Sequence, residues 1–291
     1  MTYTLYIQDR AYSSWSLRGY LLLAAFDIPH RVRHEHWRSP EYAALQAEIA
    51  PSRTVPALRG DDFFLWDSLA MAETLSERHD GIWPTNPAAR AAARSVTAEM
   101  HSGFGALRSE CPMNLRRRWD GFRVSDAVKA DVARMTDLWA WARGFSDGTG
   151  PYLFGAYSAA DAFFAPAASR IDTYGIEVGA EDAAYIDALH RVPAFRRWRA
   201  MAYANDVLNP DYEFNLGTLD GWPGEAAMPA RAIDSGTPVN DACPYSGDPV
   251  AADSLAEING TVIGYCNQFC RDKSVADAGA WPATMAILVD R

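Results

Sequence analysis

A change of pattern near residue 88 constrains the fold of this chain more than any other feature. Before it, short β-branched and aromatic runs alternate with helical spacing: residues 2 to 7 (TYTLYI) read as a strand, 16 to 26 (SLRGYLLLAAF) as a helix, and 30 to 36 (HRVRHEH) as a returning strand. A helix around 41 to 49 follows, and "SRTVPALRGDDFFLWDSLAMAETLSER" then reads as strand, tight turn at Gly60-Asp61, strand and helix. After "GIWPTNPAAR" the residues from 88 to 205 are Ala-rich, with helical apolar spacing over 88 to 110, 125 to 145, 158 to 172 and 181 to 203. The order predicts a β-α-β unit, residues 1 to 82, followed by an all-helical one, residues 83 to 205.

Beyond residue 205 the pattern changes twice more. Residues 206 to 242 are rich in Gly, Pro, Asn and Asp and predict a linker over the surface, and 243 to 291 read as a separate small module holding Cys243, Cys266 and Cys270. The charge narrows the partners: 27 Lys and Arg against 37 Asp and Glu leave a net −10, which repels polyanions, so nucleic acid is not an expected partner. The cluster Arg116 to Arg118 is read as a solvated helix end. No run approaches the roughly 18 apolar residues of a membrane span, and the opening residues lack an export signal, so no membrane and a cytoplasmic setting are expected. Four cysteines are too few for a disulfide framework in a chain of this size and are expected as thiols or metal ligands.

The chemistry concentrates where the first helix begins. In "SSWSLR" the hydroxyls of Ser13, Ser14 and Ser16 lie where helix N–H groups have no internal partner. One of them suffices as a cap. A further hydroxyl there can donate to a bound anion, with the helix dipole adding to the attraction, and a thiolate is among the anions so favoured. Pro56 cannot donate a ladder hydrogen bond, so it belongs on an edge strand, at a bulge or in a cis peptide. A cis peptide would turn the backbone of Val55 outward, toward an extended ligand backbone. Asp67 and Ser68 in "WDSLAMAE" open another helix, where a ligand carboxylate can meet Ser68 and free N–H groups while Asp67 meets an ammonium; they also suit a plain N-cap. Ser158 and Asp161 in "YSAADAFF" have capping-box spacing and are read as structural.

Taken in order, Ser-Ser-x-Ser at the first helix, Thr-Val-Pro-Ala-Leu, Asp-Ser-Leu-Ala-Met-Ala-Glu and the helical stretch resemble a cytosolic glutathione S-transferase over roughly residues 3 to 205. The resemblance implies an α/β plus all-α fold: a thioredoxin-like N-terminal domain, a helical glutathione-transferase C-terminal domain, and here a small C-terminal appendage. "SSWSLR" is similar to the serine motif of the zeta class, which includes maleylacetoacetate isomerases and has a cysteine where this chain has Trp15. It implies that Ser13, with Ser14 next, activates glutathione as a thiolate, that Val55, Pro56, Asp67 and Ser68 surround the tripeptide, and that the protein is a homodimer acting on a small electrophile; Trp15 packs beside the sulfur or, as we read it, belongs to the core. Arg53 is a candidate for the glycyl carboxylate, or a surface charge. A glutathione-dependent cis-trans isomerase and a non-catalytic glutathione or metal sensor are the alternatives. His101, Phe104, Cys111 and Trp119 are expected to overlook the cleft, Cys111 as an inert packed thiol.

The tail "DACPYSGDPVAADSLAEINGTVIGYCNQFCRDK" resembles a degenerate metal-binding module of the YHS or TRASH type, with Ser246 in place of the second turn cysteine. Cys243, Cys266 and Cys270 are its candidate ligands and zinc its candidate ion. Without metal, the expected small core of Tyr265, Phe269, Val262 and Ile263 would have to hold the module's shape, since a unit this small rarely stabilises itself without a staple.

Overall fold

The structure, a computed structural model, describes residues 2–204, 207–219, 221–222 and 228–289. By internal contacts the chain forms two compact units, Met1–Val192 with Asn209–Gly224, and Pro193–Leu208 with Glu225–Arg291.

The first unit opens with β1 (Tyr3–Gln8), α1 (Ser14–Ala24) and β2 (His30–Glu35), continues through α2 (Pro40–Glu48), and closes its sheet with β3 (Ala57–Arg59) and β4 (Phe64–Trp66) before α3 (Ser68–Ser76). The sheet order is β2-β1-β3-β4, with β1 parallel to β2 and antiparallel to β3, which is antiparallel to β4. This is the thioredoxin-like arrangement that the resemblance implies, and its β1-α1-β2 opening is the β-α-β unit the pattern predicts. β1 buries Tyr3, Leu5, Tyr6 and Ile7, and α1 buries every residue from Ser16 to Ala24. A helix covered on all sides has no polar face, so the apolar run from Leu17 onward is its local cause. The peptide Val55-Pro56 is cis, and β3 begins after the proline, so Pro56 takes no place in the ladder. Gly19 keeps α1 close against it: a Cβ at that position would lie 2.8 Å from Pro56 Cβ.

Helices α4 (Pro87–Ser102), α5 (Gly105–Glu110), α6 (Asp126–Arg143), α7 (Ala159–Tyr174) and α8 (Ala180–Arg191) make the helical part. α7 is its buried axis, in contact with α1, α4 and α8. It starts at the predicted cap, where the Asp161 carboxylate accepts from Ser158 N–H at 2.8 Å and Ser158 O–H at 2.9 Å. The single helix expected over 181 to 203 is two, because Pro193 cannot supply the N–H that would continue α8, and α9 (Pro193–Ala204) starts there.

The expected linker over 206 to 242 has structure of its own. β6 (Gly217–Thr218) pairs with β5 (Trp119–Asp120), and Leu219 N–H donates to Arg118 O at 2.8 Å. Within the same stretch, Glu213 accepts from Tyr12 O–H at 3.3 Å, Asn114 Nδ2 at 3.1 Å and Arg117 Nε at 2.9 Å.

In the second unit, β7 (Ala230–Ile233), β8 (Leu255–Ile258) and β9 (Thr261–Gly264) form an antiparallel sheet, followed by α10 (Gln268–Ala276) and α11 (Pro282–Val289). Asn259 and Gly260, at φ 48° and 79°, make the two-residue turn between β8 and β9, a backbone region that Asn and Gly enter at least cost. Ala256, Ile258, Ile263, Tyr265, Cys243 and Cys270 form its core. Of the expected core residues, Ile263 and Tyr265 lie in it, while Val262 is only partly buried. α9 packs on α10, and Arg196 on it grips Asp277 at 2.7 and 2.9 Å.

Candidate functional site

Ser13 caps α1: its Oγ accepts from Ser16 N–H at 3.2 Å and donates to Ser16 Oγ at 2.8 Å, while Gln8 N–H donates to that same Ser16 oxygen at 3.2 Å. Ser16 is fully buried, so this pair is held at one fixed place at the N-terminal end of the helix. Ser13 faces a cavity of about 840 Å³ whose wall also includes Gln8, Trp15, Arg53, Val55, Pro56 and Asp67. Of the sequence candidates, the cavity therefore gathers Ser13, Trp15, Arg53, Val55, Pro56 and Asp67. Ser14, the first residue of α1, is half-buried and outside that wall. Ser68 is fully buried, and its Oγ has no hydrogen-bond partner among the described residues.

The cavity wall also includes residues that the sequence alone did not single out: Trp37, Arg38, Ser39, Tyr42, Ala43 and Gln46. They precede and form the first turns of α2, which Ser39 caps by accepting from Tyr42 N–H at 3.2 Å. Arg38, at φ 65°, takes the left-handed backbone that turns the chain into this helix. The legible signal was "HWRSPEY", an aromatic-cation cluster at a Ser-Pro helix start.

Asp67 ties the cavity to the helical part. Its Oδ1 accepts from Leu69 N–H at 2.7 Å as the α3 cap, and its Oδ2 lies 3.2 Å from His101 Nε2 of α4. Burial lowers the His101 pKa, Asp67 opposes that, and Arg18 and Arg108 add to the lowering. Trp15 meets the His101 ring edge-on at 5.1 Å, with Arg18 and Arg108 at 4.6 and 5.1 Å from its own ring centre. Phe104, Cys111 and Trp119 are buried and outside the cavity wall. Burial pushes the Cys111 thiol up to about 12, which removes it as a nucleophile. Tyr12, one residue before Ser13, offers a second hydroxyl by sequence, but that hydroxyl is engaged with Glu213 and Asn209.

In the second unit the sulfur atoms of Cys243, Cys266 and Cys270 lie within 4.8 Å of one another. Cys243 opens a tight turn closed by Gly247 N–H donating to Cys243 O at 2.9 Å. Ser246 in that turn donates to Cys266 Sγ at 3.4 Å, and Asn267 Nδ2 donates to it at 3.2 Å. Burial raises the Cys243 thiol, but N–H groups of Tyr245, Cys266 and Ser246 outweigh it and bring it down to about 7. Burial raises Cys270, with Lys273 opposing.

No helix among the described residues is long and apolar enough to cross a membrane. Among curated proteins nothing matches the chain. A glutathione transferase homolog from Burkholderia gl BGR1, solved with bound glutathione, superposes with a TM-score of 0.53 at 22% identity, over 71% of this chain and 100% of that one. A Tau class glutathione S-transferase from mango, Mangifera indica, gives 0.51 at 17% identity, over 68% of this chain and 92% of that one. A glutathione S-transferase from Rhodospirillum rubrum gives 0.50 at 20%, over 72% and 94%. Residues 12–78 match the family model described as Glutathione S-transferase, N-terminal domain. Over the part those structures cover, the chain has the thioredoxin-like plus helical fold of glutathione transferases, and residues 12–78 match the model of that family's N-terminal domain.

Proposed function

We propose that this protein is a glutathione transferase of the serine type, in which Ser13 stabilises the thiolate of glutathione for attack on a small electrophile. The observation that carries the reading is the position of Ser13: a hydroxyl at the N-terminus of α1, on the wall of a cavity built from the domain that matches the family model. Lowering a thiol pKa by about two units requires about 2.7 kcal/mol of preference for the anion. One charge-assisted hydrogen bond and a helix N-terminus supply that.

The Ser13 hydroxyl donates to Ser16 Oγ, and hydroxyl protons rotate freely. When a thiolate arrives, Ser13 turns its proton to the sulfur and the Ser16 hydroxyl donates back into the Ser13 oxygen. That oxygen then accepts from both the amide and the hydroxyl of Ser16, which polarises its O–H. Asp67 receives the ammonium of the γ-glutamyl end, and the first-turn amides of α3, with Ser68 behind them, receive its carboxylate. Val55 lies along the peptide, and Arg53 and Arg38 flank the glycyl carboxylate. Ultraviolet titration of bound glutathione tests the reading: thiolate absorbance should appear near neutrality, and a thiol that titrates in the cavity as it does in water would end it. Ser16→Ala should raise the bound thiol pKa by about half a unit, leave glutathione affinity unchanged at low pH, where the peptide binds as the thiol, and lower it about threefold at high pH, since it removes the donor that polarises Ser13.

A second reading concerns the other unit. The closeness of three sulfurs supports a soft metal ion at Cys243, Cys266 and Cys270, with zinc the candidate and Ser246 or water completing a tetrahedron. The donor set fits such an ion: three thiols converge, and Ser246 O–H already reaches one of them. Zinc titration against a chromophoric chelator should show one ion per chain, lost on Cys270→Ala; wild-type protein that leaves the chelator saturated would reject the site.

A further inference from the structure

We propose that Arg18 is a positioning residue, a buried guanidinium behind Trp15 whose unbalanced charge makes the sulfur end of the cavity electropositive. The proposal rests on the transferase reading above and explains how that site reaches a thiolate with a single hydroxyl.

Arg18 is 1% exposed, and its Nε and Nη1 are sealed from solvent with no hydrogen-bond partner among the described residues. Such a group is costly, because a buried charge loses its hydration and at these two nitrogens receives no hydrogen bond in exchange. An apolar side chain of similar volume would fill the space more cheaply. The charges around it do not neutralise it. Burial lowers the Arg18 pKa most, Arg108 of α5 and Arg170 of α7 add to the lowering by repulsion, and Asp67 opposes it; the guanidinium nevertheless keeps its proton, as arginine does in proteins. Asp67 is already shared with Leu69 N–H and His101 of α4. The two neighbouring arginines are anchored on carbonyls, Arg108 on Met100 and His101, Arg170 on Cys111 and Pro166, so neither swings away.

Its position gives the charge a use. The guanidinium carbon lies 4.6 Å from the Trp15 ring centre and 5.0 Å from that of Phe163. Trp15 forms the cavity wall beside Ser13, so the cation sits one aromatic ring behind that wall. Long side chains on a helix lean back toward its N-terminus, which directs Arg18 toward the first turn of α1 rather than away from it. Arg18 cannot touch a ligand and acts through its field. A unit charge within about 10 Å at an effective dielectric of about 20 moves a titration by about one unit. The apolar rings between them keep water from screening it.

The test is the thiol pKa of bound glutathione in wild type, Arg18→Met and Arg18→Lys, read by ultraviolet titration alongside thermal melting. The methionine variant should raise the bound thiol pKa by about one unit, move the acid limb of the kcat/KM profile up equally, and melt no lower than wild type. Lysine should restore most of the shift. A methionine variant that folds and titrates as wild type overturns the proposal, as does a lysine variant that titrates like methionine. If Arg18→Met does not fold, Arg18→Gln replaces it as the neutral arm, with the same criterion. A wild-type thiol that is not acidified sinks the transferase reading itself, and Arg18 with it, so the two failures are read from different samples.

Discussion

Replacing Ser13 by Ala is expected to lower kcat/KM for conjugation by about 100-fold while leaving glutathione affinity within a few-fold. The hydroxyl stands in the cavity wall at the N-terminus of α1, and the loss of such a donor falls on the charged state of the sulfur rather than on the tripeptide. Binding survives because Val55, Asp67 and the arginines are untouched. The same change removes the α1 cap and costs about 1 kcal/mol of stability, so rates must be compared well below the melting temperature. Ser13→Thr keeps the hydroxyl and should recover most of the activity. Ser14→Ala should change the rate by less than threefold, since Ser14 is not part of the wall. A Ser13→Ala enzyme with wild-type kcat/KM, or a Ser14→Ala enzyme with the larger loss, would show that the sulfur is held elsewhere.

The second large effect concerns the start of α7. Asp161 is fully buried and accepts four hydrogen bonds: Ser158 N–H, Ser158 O–H, Leu153 N–H at 3.3 Å and Tyr185 O–H at 2.9 Å. Asp161→Ala leaves these donors buried without a partner, at a cost of about 4 kcal/mol. For a unit of this size the melting temperature should fall by about 10 °C. Asp161→Asn keeps the shape but aims an NH2 at groups that are themselves donors, so it should recover only part of the loss. Calorimetry decides it: an alanine variant melting within about 2 °C of wild type would mean the four bonds are not jointly stabilising.

The β-α-β opening was legible because its signals are local. Alternation in TYTLYI, a serine cap before an apolar run and Gly60 at a tight turn each act within a few residues. Pro56 was legible only as a choice among edge, bulge and cis, since a proline's incompatibility with a ladder does not say how the chain avoids it. The cysteine spacing pointed to a cluster, and the sulfurs are close. What the sequence did not reveal depends on distant pairing. Arg18 reads as one polar residue in a helix, and its burial comes from Phe163 and Trp15 closing over it. The α2 part of the cavity wall was missed because Trp37, Arg38 and Tyr42 gain a meaning only as lining of the same cavity as Ser13. Residues 206 to 242 read as a connection because Gly, Pro and Asn signal turns, while the hold of Glu213 on Tyr12, Asn114 and Arg117 spans about a hundred residues or more of chain.

The path of the chain between its units has a practical result. It leaves the first unit after Val192, returns at Asn209, and leaves again after Gly224. A protease nick or a stop codon after Val192 or Leu208 therefore cannot release an intact half, and one after Gly224 leaves the first unit carrying the segment Pro193–Leu208 of the second. Ending the chain at residue 205 would strip β6 from β5 and leave the buried face of α9, with Phe195 and Trp198, stranded without α10. An excised version of either half needs two splices rather than one.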